Sequence, residues 1–428
     1  MPPSSSAARG ASSKWCAGAE LGPSGDPRRE LLLGLLQTAL AAVDGRRCVH
    51  AALGGSGALA AQGPVWLAAV GKAAPAMALG AHDALGARIA HSLIITRDGH
   101  TPPELERARG VEVIAGSHPV PDQRSLAAGA RLLKWVEALP QDAAPLFLIS
   151  GGASSLVEVL KPGVTLGELE RFTARELAAG TAIGALNAKR IALSCIKGGG
   201  LTARLGGRRA RALFVSDVPG DDPGVIGSGL LGRASEGADR VERSVVAAVS
   251  QAVAAAAAAA RALGLAVHAP ERRFDDDALR LAARFAHELR LTESALCVWG
   301  GESTVQLPAN PGRGGRNQHL ALAAAKLIAG QADLMLLAAG TDGTDGVTED
   351  AGALIDAESC ARVALGGLDV DACLAGADSG TALAASGDLL HTGPTGTNVG
   401  DLVIGLKLSA QAAAALPGAR GGPRAAVL

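Results

Sequence analysis

The chain places carboxylates on glycine loops at the ends of apolar runs. LMLLAAG (334–340) passes directly into TDGTDGVTEDAGA (341–353), so Asp342 and Asp345 stand just past a predicted buried strand. Carboxylates in that position hold a hard metal ion or take a proton. The design recurs. VWLAAV (65–70) leads into Gly71-Lys72-Ala73, and PLFLIS (145–150) into Gly151-Gly152-Ala153-Ser154-Ser155. RALFVSDV (211–218), which carries Asp217, leads into Pro219-Gly220-Asp221-Asp222, and CVWGG (297–301) into Glu302-Ser303-Thr304. Glycine loops expose backbone N–H groups, and with a following helix N-terminus they suit an anionic phosphate. Lys72 at a strand-to-helix turn supplies a point charge. Arg316, in GRGGRNQ (312–318) ahead of a helical segment, supplies a planar fork of donors around a transferring phosphoryl group.

Such loops work together only if their strands run in one direction. Strand-like runs at 65–70, 92–96, 111–116, 145–150 and 211–218 alternate with helical segments at 73–84 and 125–139, which predicts βαβ units and a mostly parallel sheet. In open parallel sheets ligands bind at the carboxyl ends of the strands. A helical segment at 29–43 precedes the first strand. The alanine-rich stretch 241–266 predicts one long packed helix, because alanine is the best helix former and Glu242, Arg243, Gln251 and Arg261 interrupt any membrane span. The polar stretch 267–294 carries an acid-rich helix start near a domain boundary. Strands at 295–299, 334–340 and 402–408 follow, with a helix at 319–329.

Length and composition exclude several function classes. A chain of 428 residues predicts two domains. Hydrophobic residues at 48% and charged ones at 19% suit a globular protein with large cores. A formal net charge of −1, no Tyr and 2% aromatics argue against a nucleic-acid partner. Cysteines at 16, 48, 195, 297, 360 and 373 form no C-x-x-C pair, which predicts reduced thiols in a cytoplasmic protein with no membrane attachment. Residues 1–28 and the stretch from Pro417 read as disordered tails. There is no Walker-type phosphate loop. Gly227-Ser228-Gly229-Leu230-Leu231-Gly232 matches G-x-G-x-x-G but follows a polar stretch rather than a strand, so it is read as a chance match. His118, before Pro119, is read as structural or as a substrate contact.

With these loops assembled, the chain resembles the class II glycerate kinases, the glycerate 2-kinase family with a C-terminal MOFRL domain. The carrying segments include VGKAAPAM (70–77), SHPVPD (117–122), LISGGASSLVE (148–158), LNAKRIALSCIKGGGL (186–201) and SDVPGDDPGVIGSG (216–229). GGEST (300–304), GRGGRNQHLAL (312–322), AAGTDGTDGVTEDAGALID (338–356) and HTGPTGTNVGDLVIGL (391–406) complete them in order. The resemblance implies a Rossmann-like N-terminal α/β domain, assigned to 29–270, and a smaller α/β MOFRL domain at 290–410, with tails at 1–28 and 411–428. It implies transfer of the γ-phosphoryl group of ATP to glycerate, giving 2-phosphoglycerate, with Mg²⁺, in a cleft between the domains. The family's lysine falls on Lys72 and its GGRNQ arginine on Arg316; Asn187, Arg190 and Lys197 match its LN-x-x-R and IKGG segment.

On that basis Lys72 and Arg316 neutralise charge or bind the glycerate carboxylate. Gly151, Gly152, Ser154, Ser155, Asn187, Arg190, Lys197 and Glu302 are the substrate- and phosphate-binding candidates. Asp342 and Asp345 are expected to hold metal and Asp217 to be catalytic, although the aspartates' roles are interchangeable at this level. The substrates expected are glycerate and ATP; a homo-oligomer is compatible with the sequence. A hydroxypyruvate reductase and a silent nucleotide- or sugar-acid-binding protein are the alternatives.

Overall fold

The computed structural model describes residues 25–54, 63–178, 183–232, 240–293 and 295–416. The first sheet holds β1 (Val65–Val70), β2 (Ile89–Thr96), β3 (Val111–Ala115), β4 (Ala144–Ile149), β5 (Ala210–Ser216) and β6 (Val241–Ala248). All its pairings are parallel, in the order β3-β2-β1-β4-β5-β6. This is the doubly wound order, which reverses direction between β1 and β4 and opens a crevice at their carboxyl ends.

The second sheet contains β7 (Val267–His268), β8 (Phe274–Asp277), β9 (Leu296–Thr304), β10 (Leu334–Gly340), β11 (Gly352–Asp356), β12 (Leu389–Leu390) and β13 (Asp401–Lys407). It is mixed: β7 and β8 run parallel to β9, but β9, β13, β10, β11 and β12 pair antiparallel. The aspartate loop 341–351 explains part of this. It connects β10 to β11 without a helix, and so short a link returns the chain antiparallel.

Side-chain alternation divides the core. On β1, Leu67 and Ala69 face one way, while Ala68 and Val70 face the other. The second face is covered by the helix Gln123–Glu137, whose Trp135 is fully buried and donates its indole N–H to His91 Nδ1 at 3.2 Å. The first face shares one core with the second sheet. Leu67, Leu148 and Leu213 join Val298, Leu337 and Ile404 through the helices Pro27–Ala42 and Val249–Ala262. Each such leucine, fully buried, contributes about 1.5–3 kcal/mol relative to exposure. Arg29 ties the first helix to the second sheet, donating to Asp356 at 2.8 Å and Asp388 at 2.5 Å. That shared core holds the two sheets' loop edges against each other.

Three sequence expectations change here. The stretch 241–266 is not one helix: Val241–Ala248 is the edge strand β6, and the helix begins at Val249. Pairing with β5 and the β-branched Val241, Val245 and Val246 outweigh the alanine bias. The acidic run at 275–277 lies on β8, and Asp277 caps the helix Ala278–Leu291 by accepting from the Leu279 N–H at 3.0 Å. The mostly parallel pattern holds for the first sheet only. Residues 1–24 and 417–428 of the expected tails lie outside the described residues; inside them, helices begin at Pro27 and end at Ala414. Among the described residues five cysteines are unbonded, and no helix is long and apolar enough to cross a membrane.

Candidate active site

The crevice between β1 and β4 is built from two interlocked turns. Gly71 has φ +135°, and a Cβ there would stand 2.1 Å from Ser150 Oγ, so only glycine lets the β1 turn nest against the β4 turn. The Lys72 N–H donates to Gly151 O at 2.9 Å, and the Ala73 N–H donates to Ser150 Oγ at 3.1 Å. The lysine is thereby held at the mouth of the crevice.

Loops of the second sheet close over it. Lys72 Nζ meets Asp342 Oδ2 at 2.6 Å, with side-chain exposures of 16% and 7%. Burial raises the Asp342 pKa, but the charge and hydrogen bond of Lys72 more than offset it and leave the carboxyl below its usual range. Asp342 Oδ1 accepts from the Thr344 N–H at 2.9 Å and from Thr344 Oγ1 at 3.1 Å. From the segment before β13, Asn398 Nδ2 donates to Asp217 Oδ2 at 3.2 Å. Gly151 lies under that contact; a Cβ on it would come within 1.8 Å of Asp217 Oδ2 and 2.1 Å of Asn398 Nδ2.

Asp217 and Asp345 are the two carboxyls pushed up to about 7, and of these Asp217 faces the crevice. Burial, reinforced by the negative charge of Glu302, pushes its pKa up to about 7, against the pull of Lys72 and Arg316. No ion pair among the described residues includes it. A carboxyl titrating near neutrality in a crevice suits a general base.

Arg316 opens the helix Arg316–Ile328 and is braced by acids. It donates to Glu302 Oε1 at 2.7 Å and to Asp401 Oδ1 at 3.0 Å. Burial opposes its charge, yet Asp401, Glu302 and Asp345 outweigh burial and keep its pKa well above the ordinary arginine value. Asp401 is fully buried and also accepts from Asn317 Nδ2 at 3.0 Å and the Ser303 N–H at 3.0 Å.

The sequence-predicted residues divide into three groups. Lys72, Asp217, Gly151, Gly152, Glu302, Arg316 and Asp342 meet at the crevice. Arg190 and Ser154 flank it, joined by Arg190 NH1 donating to Ser154 Oγ at 3.3 Å. Others are turned to different work. Asp345 does not present free oxygens to a metal: Oδ1 accepts from the Asn317 N–H at 3.1 Å and Oδ2 from the Gln318 N–H at 2.8 Å, so it caps the helix that carries Arg316. Lys197 does not reach the crevice; it is fully buried in an ion pair with Glu158. Ser155 Oγ donates to Pro119 O at 2.8 Å and fixes a loop. Asn187 falls on the helix Ile183–Leu193, but its side chain lies outside the described residues. Among the described residues no group of three or more His, Cys, Asp or Glu is placed to hold a metal.

Sequence reasoning missed Asn398 and Asp401. The run TGPTGTNVG (392–400) ahead of β13 was the available signal, being one more glycine-rich loop at a strand end. A pocket also opens beside Lys72, with Pro75, Leu79, Pro102 and Pro394 on its apolar side and His100 and Thr395 on its polar side. The G-x-G-x-x-G segment sits in a short 3₁₀ turn, where Ser228 O and Gly229 O accept from the N–H groups of Gly198 and Gly199. It is packed into the protein and does not form a strand-to-helix phosphate turn.

Comparisons with known proteins agree with this architecture. A family described as a domain of unknown function, DUF4147, matches residues 31–264, and the MOFRL family matches 295–401. The chain is 36% identical over 380 residues to the D-glycerate 2-kinase of Thermotoga maritima, covering 80% of this chain and 90% of the relative. It is 34% identical over 374 residues to a putative hydroxypyruvate reductase of Agrobacterium vitis, covering 78% and 84%. The crystal structure of the Thermotoga maritima glycerate kinase superposes with a TM-score of 0.75 at 33% identity, over 90% of this chain and 100% of that one.

Proposed function

The chain belongs to the glycerate 2-kinase family with a C-terminal MOFRL domain, and from that premise we propose that it transfers the γ-phosphoryl group of ATP to D-glycerate, giving 2-phosphoglycerate, in the cleft between its two sheets. The observation that carries this reading is the meeting of Lys72 and Asp217 from the first sheet with Arg316, Glu302 and Asp342 from the second. Phosphoryl transfer asks a protein for in-line positioning, charge neutralisation and a deprotonated acceptor, and these side chains supply all three.

The acceptor hydroxyl oxygen attacks the γ-phosphorus, the bond from phosphorus to the bridging oxygen breaks, and ADP leaves. Asp217 takes the hydroxyl proton; its pKa near 7 lets it be a free carboxylate at neutral pH while remaining basic enough to accept one. Lys72 and Arg316 face the charge that builds on the transferring group. Lys72 exchanges Asp342 for phosphate oxygen as substrate arrives. Gly151, Gly152 and Ser154 line the anion's floor. The pocket walled by Pro75, Leu79, Pro102 and Pro394 is the nucleoside end of the cleft.

Magnesium fits the donor set. Glu302 is a half-buried carboxylate beside Asp217, and one or two carboxylates suffice when phosphate oxygens and water complete the shell. Bound there, the ion would neutralise phosphate charge. Asp345 is less suited, because the Asn317 and Gln318 N–H groups already engage both its oxygens.

ADP release measured with and without D-glycerate tests the reading. Release that needs both glycerate and magnesium supports it. Oxidation of NAD(P)H on hydroxypyruvate, with no ADP formed, overturns it in favour of a reductase.

A further inference from the structure

Arg190 is a buried cation that no carboxylate among the described residues holds. It lies on the helix Ile183–Leu193 with 7% exposure, and its Nε has no partner among the described residues. Among the described residues its one hydrogen bond runs from NH1 to Ser154 Oγ at 3.3 Å. Glu158, the acid that acts on its charge, is already taken by Lys197. A guanidinium left so costs stability unless a ligand completes it, and residues kept at such a cost mark binding sites.

The surroundings narrow the ligand. Ser154 Oγ also shares a hydrogen bond with Ser228 Oγ at 2.6 Å. Gly152, with φ +84°, separates Ser154 from two side chains: a Cβ on it would lie 3.1 Å from Lys72 Cγ and 3.2 Å from His118 Cδ2. Ser155, bonded to Pro119 O, fixes the loop that carries His118. The His118 ring has no hydrogen bond among the described residues. Burial first, then Lys72, Arg97 and Arg190, hold it neutral against Asp342. Across the cleft the order is therefore Arg190, then Ser154 with His118, then Lys72, then Asp342. The corner is cationic and lies on the far side of Lys72 from the second sheet.

We propose that Arg190, with Ser154 and His118, seats the carboxylate of the acceptor, leaving Lys72 and Arg316 to the phosphoryl group. This rests on the kinase reading and divides its site. Both a carboxylate and a nucleotide phosphate are oxyanions that a guanidinium binds. Burial decides between them: a cation nine-tenths enclosed admits a small planar group, whereas a magnesium-chelated polyphosphate needs the open cleft.

Steady-state kinetics with D-glycerate and with its uncharged analogue glyceramide test the seat, in wild type, Arg190→Gln, Arg190→Lys and His118→Gln. In Arg190→Gln the KM for D-glycerate should rise by roughly 10–100-fold, the scale of one charge-assisted hydrogen-bonding group. The KM for ATP should hold, and the preference for glycerate over glyceramide should collapse. Added guanidinium should restore part of the loss. An unchanged preference overturns the proposal, and so does a rise confined to the KM for ATP, which would assign Arg190 to a nucleotide phosphate. If Arg190→Gln does not fold, Arg190→Lys and His118→Gln must still weaken glycerate more than glyceramide. Calorimetric titration of wild type and variants with D-glycerate reads the seat without turnover, so it separates failure of the seat from failure of the kinase reading.

Discussion

Lys72, just past β1, and Asp342, just past β10, close a 2.6 Å salt bridge that joins the two sheets across the cleft. Both side chains are mostly enclosed, so the pair is not an ordinary surface contact. It also occupies the cation that the proposed phosphoryl transfer uses. Lys72→Ala should lower kcat/KM by about two to three orders of magnitude, the cost of removing one preorganised charge from a transition state. The fold should survive, since Asp342 keeps its bonds to Thr344. Circular dichroism alongside kinetics checks this; a folded Lys72→Ala with full activity removes Lys72 from the mechanism.

Asp217 gives the pH dependence its sign. A base with a pKa near 7 must lose its proton to act, so kcat/KM should rise with pH through about 7 and level above it. Asp217→Asn should remove that limb and lower the rate by roughly 10²–10⁴-fold. The folded pKa is raised above the unfolded one, so in wild type this group loses stability as pH climbs from the ordinary aspartate range to about 7. Asp217→Asn should therefore have a higher Tm than wild type at pH 8, with the gap shrinking at pH 5. Equal melting temperatures at both pH values would contradict the raised pKa.

Lys197 should matter for folding and not for substrate. Removing one partner of a fully buried ion pair leaves the other charge stranded, at a cost of about 3–5 kcal/mol. Lys197→Met should be strongly destabilised in urea, and Lys197→Met with Glu158→Leu should recover much of the loss. The KM values of whatever folds should stay near wild type. Large KM changes in a stable Lys197 variant would return it to the binding site.

Asp345 and Glu302 should separate helix capping from metal binding. Asp345→Ala removes the cap of the Arg316 helix and should cost about 0.5–2 kcal/mol. It should leave the magnesium concentration for half-maximal activity unchanged, whereas Glu302→Gln should raise it. Titrating activity against magnesium in both variants decides; the reverse pattern would assign the metal to the aspartate loop.

Much of this was legible in the chain because strand ends announce themselves. VWLAAV, PLFLIS and RALFVSDV are apolar runs cut off by glycine or aspartate, and they became β1, β4 and β5 with Lys72, Gly151 and Asp217 just beyond them. The segment 241–248 was misread because alanine and valine serve either state, and only pairing with β5 makes it a strand. Asp345 and Lys197 misled for another reason. Their residue types suit ligand chemistry, but which way each points is set by partners far along the chain: the N–H groups opening the Arg316 helix, and Glu158. Asn398 was unseen for the same reason, since its value lies wholly in a contact with Asp217, 181 residues away.

The most direct test of the central claim is phosphorus NMR of the purified protein with ATP, magnesium and D-glycerate. The account predicts a new phosphomonoester resonance matching 2-phosphoglycerate, growing as ADP appears and absent from the Lys72→Ala reaction. A resonance matching 3-phosphoglycerate would contradict the assigned hydroxyl. ATP left unchanged in the presence of glycerate would contradict the kinase reading itself.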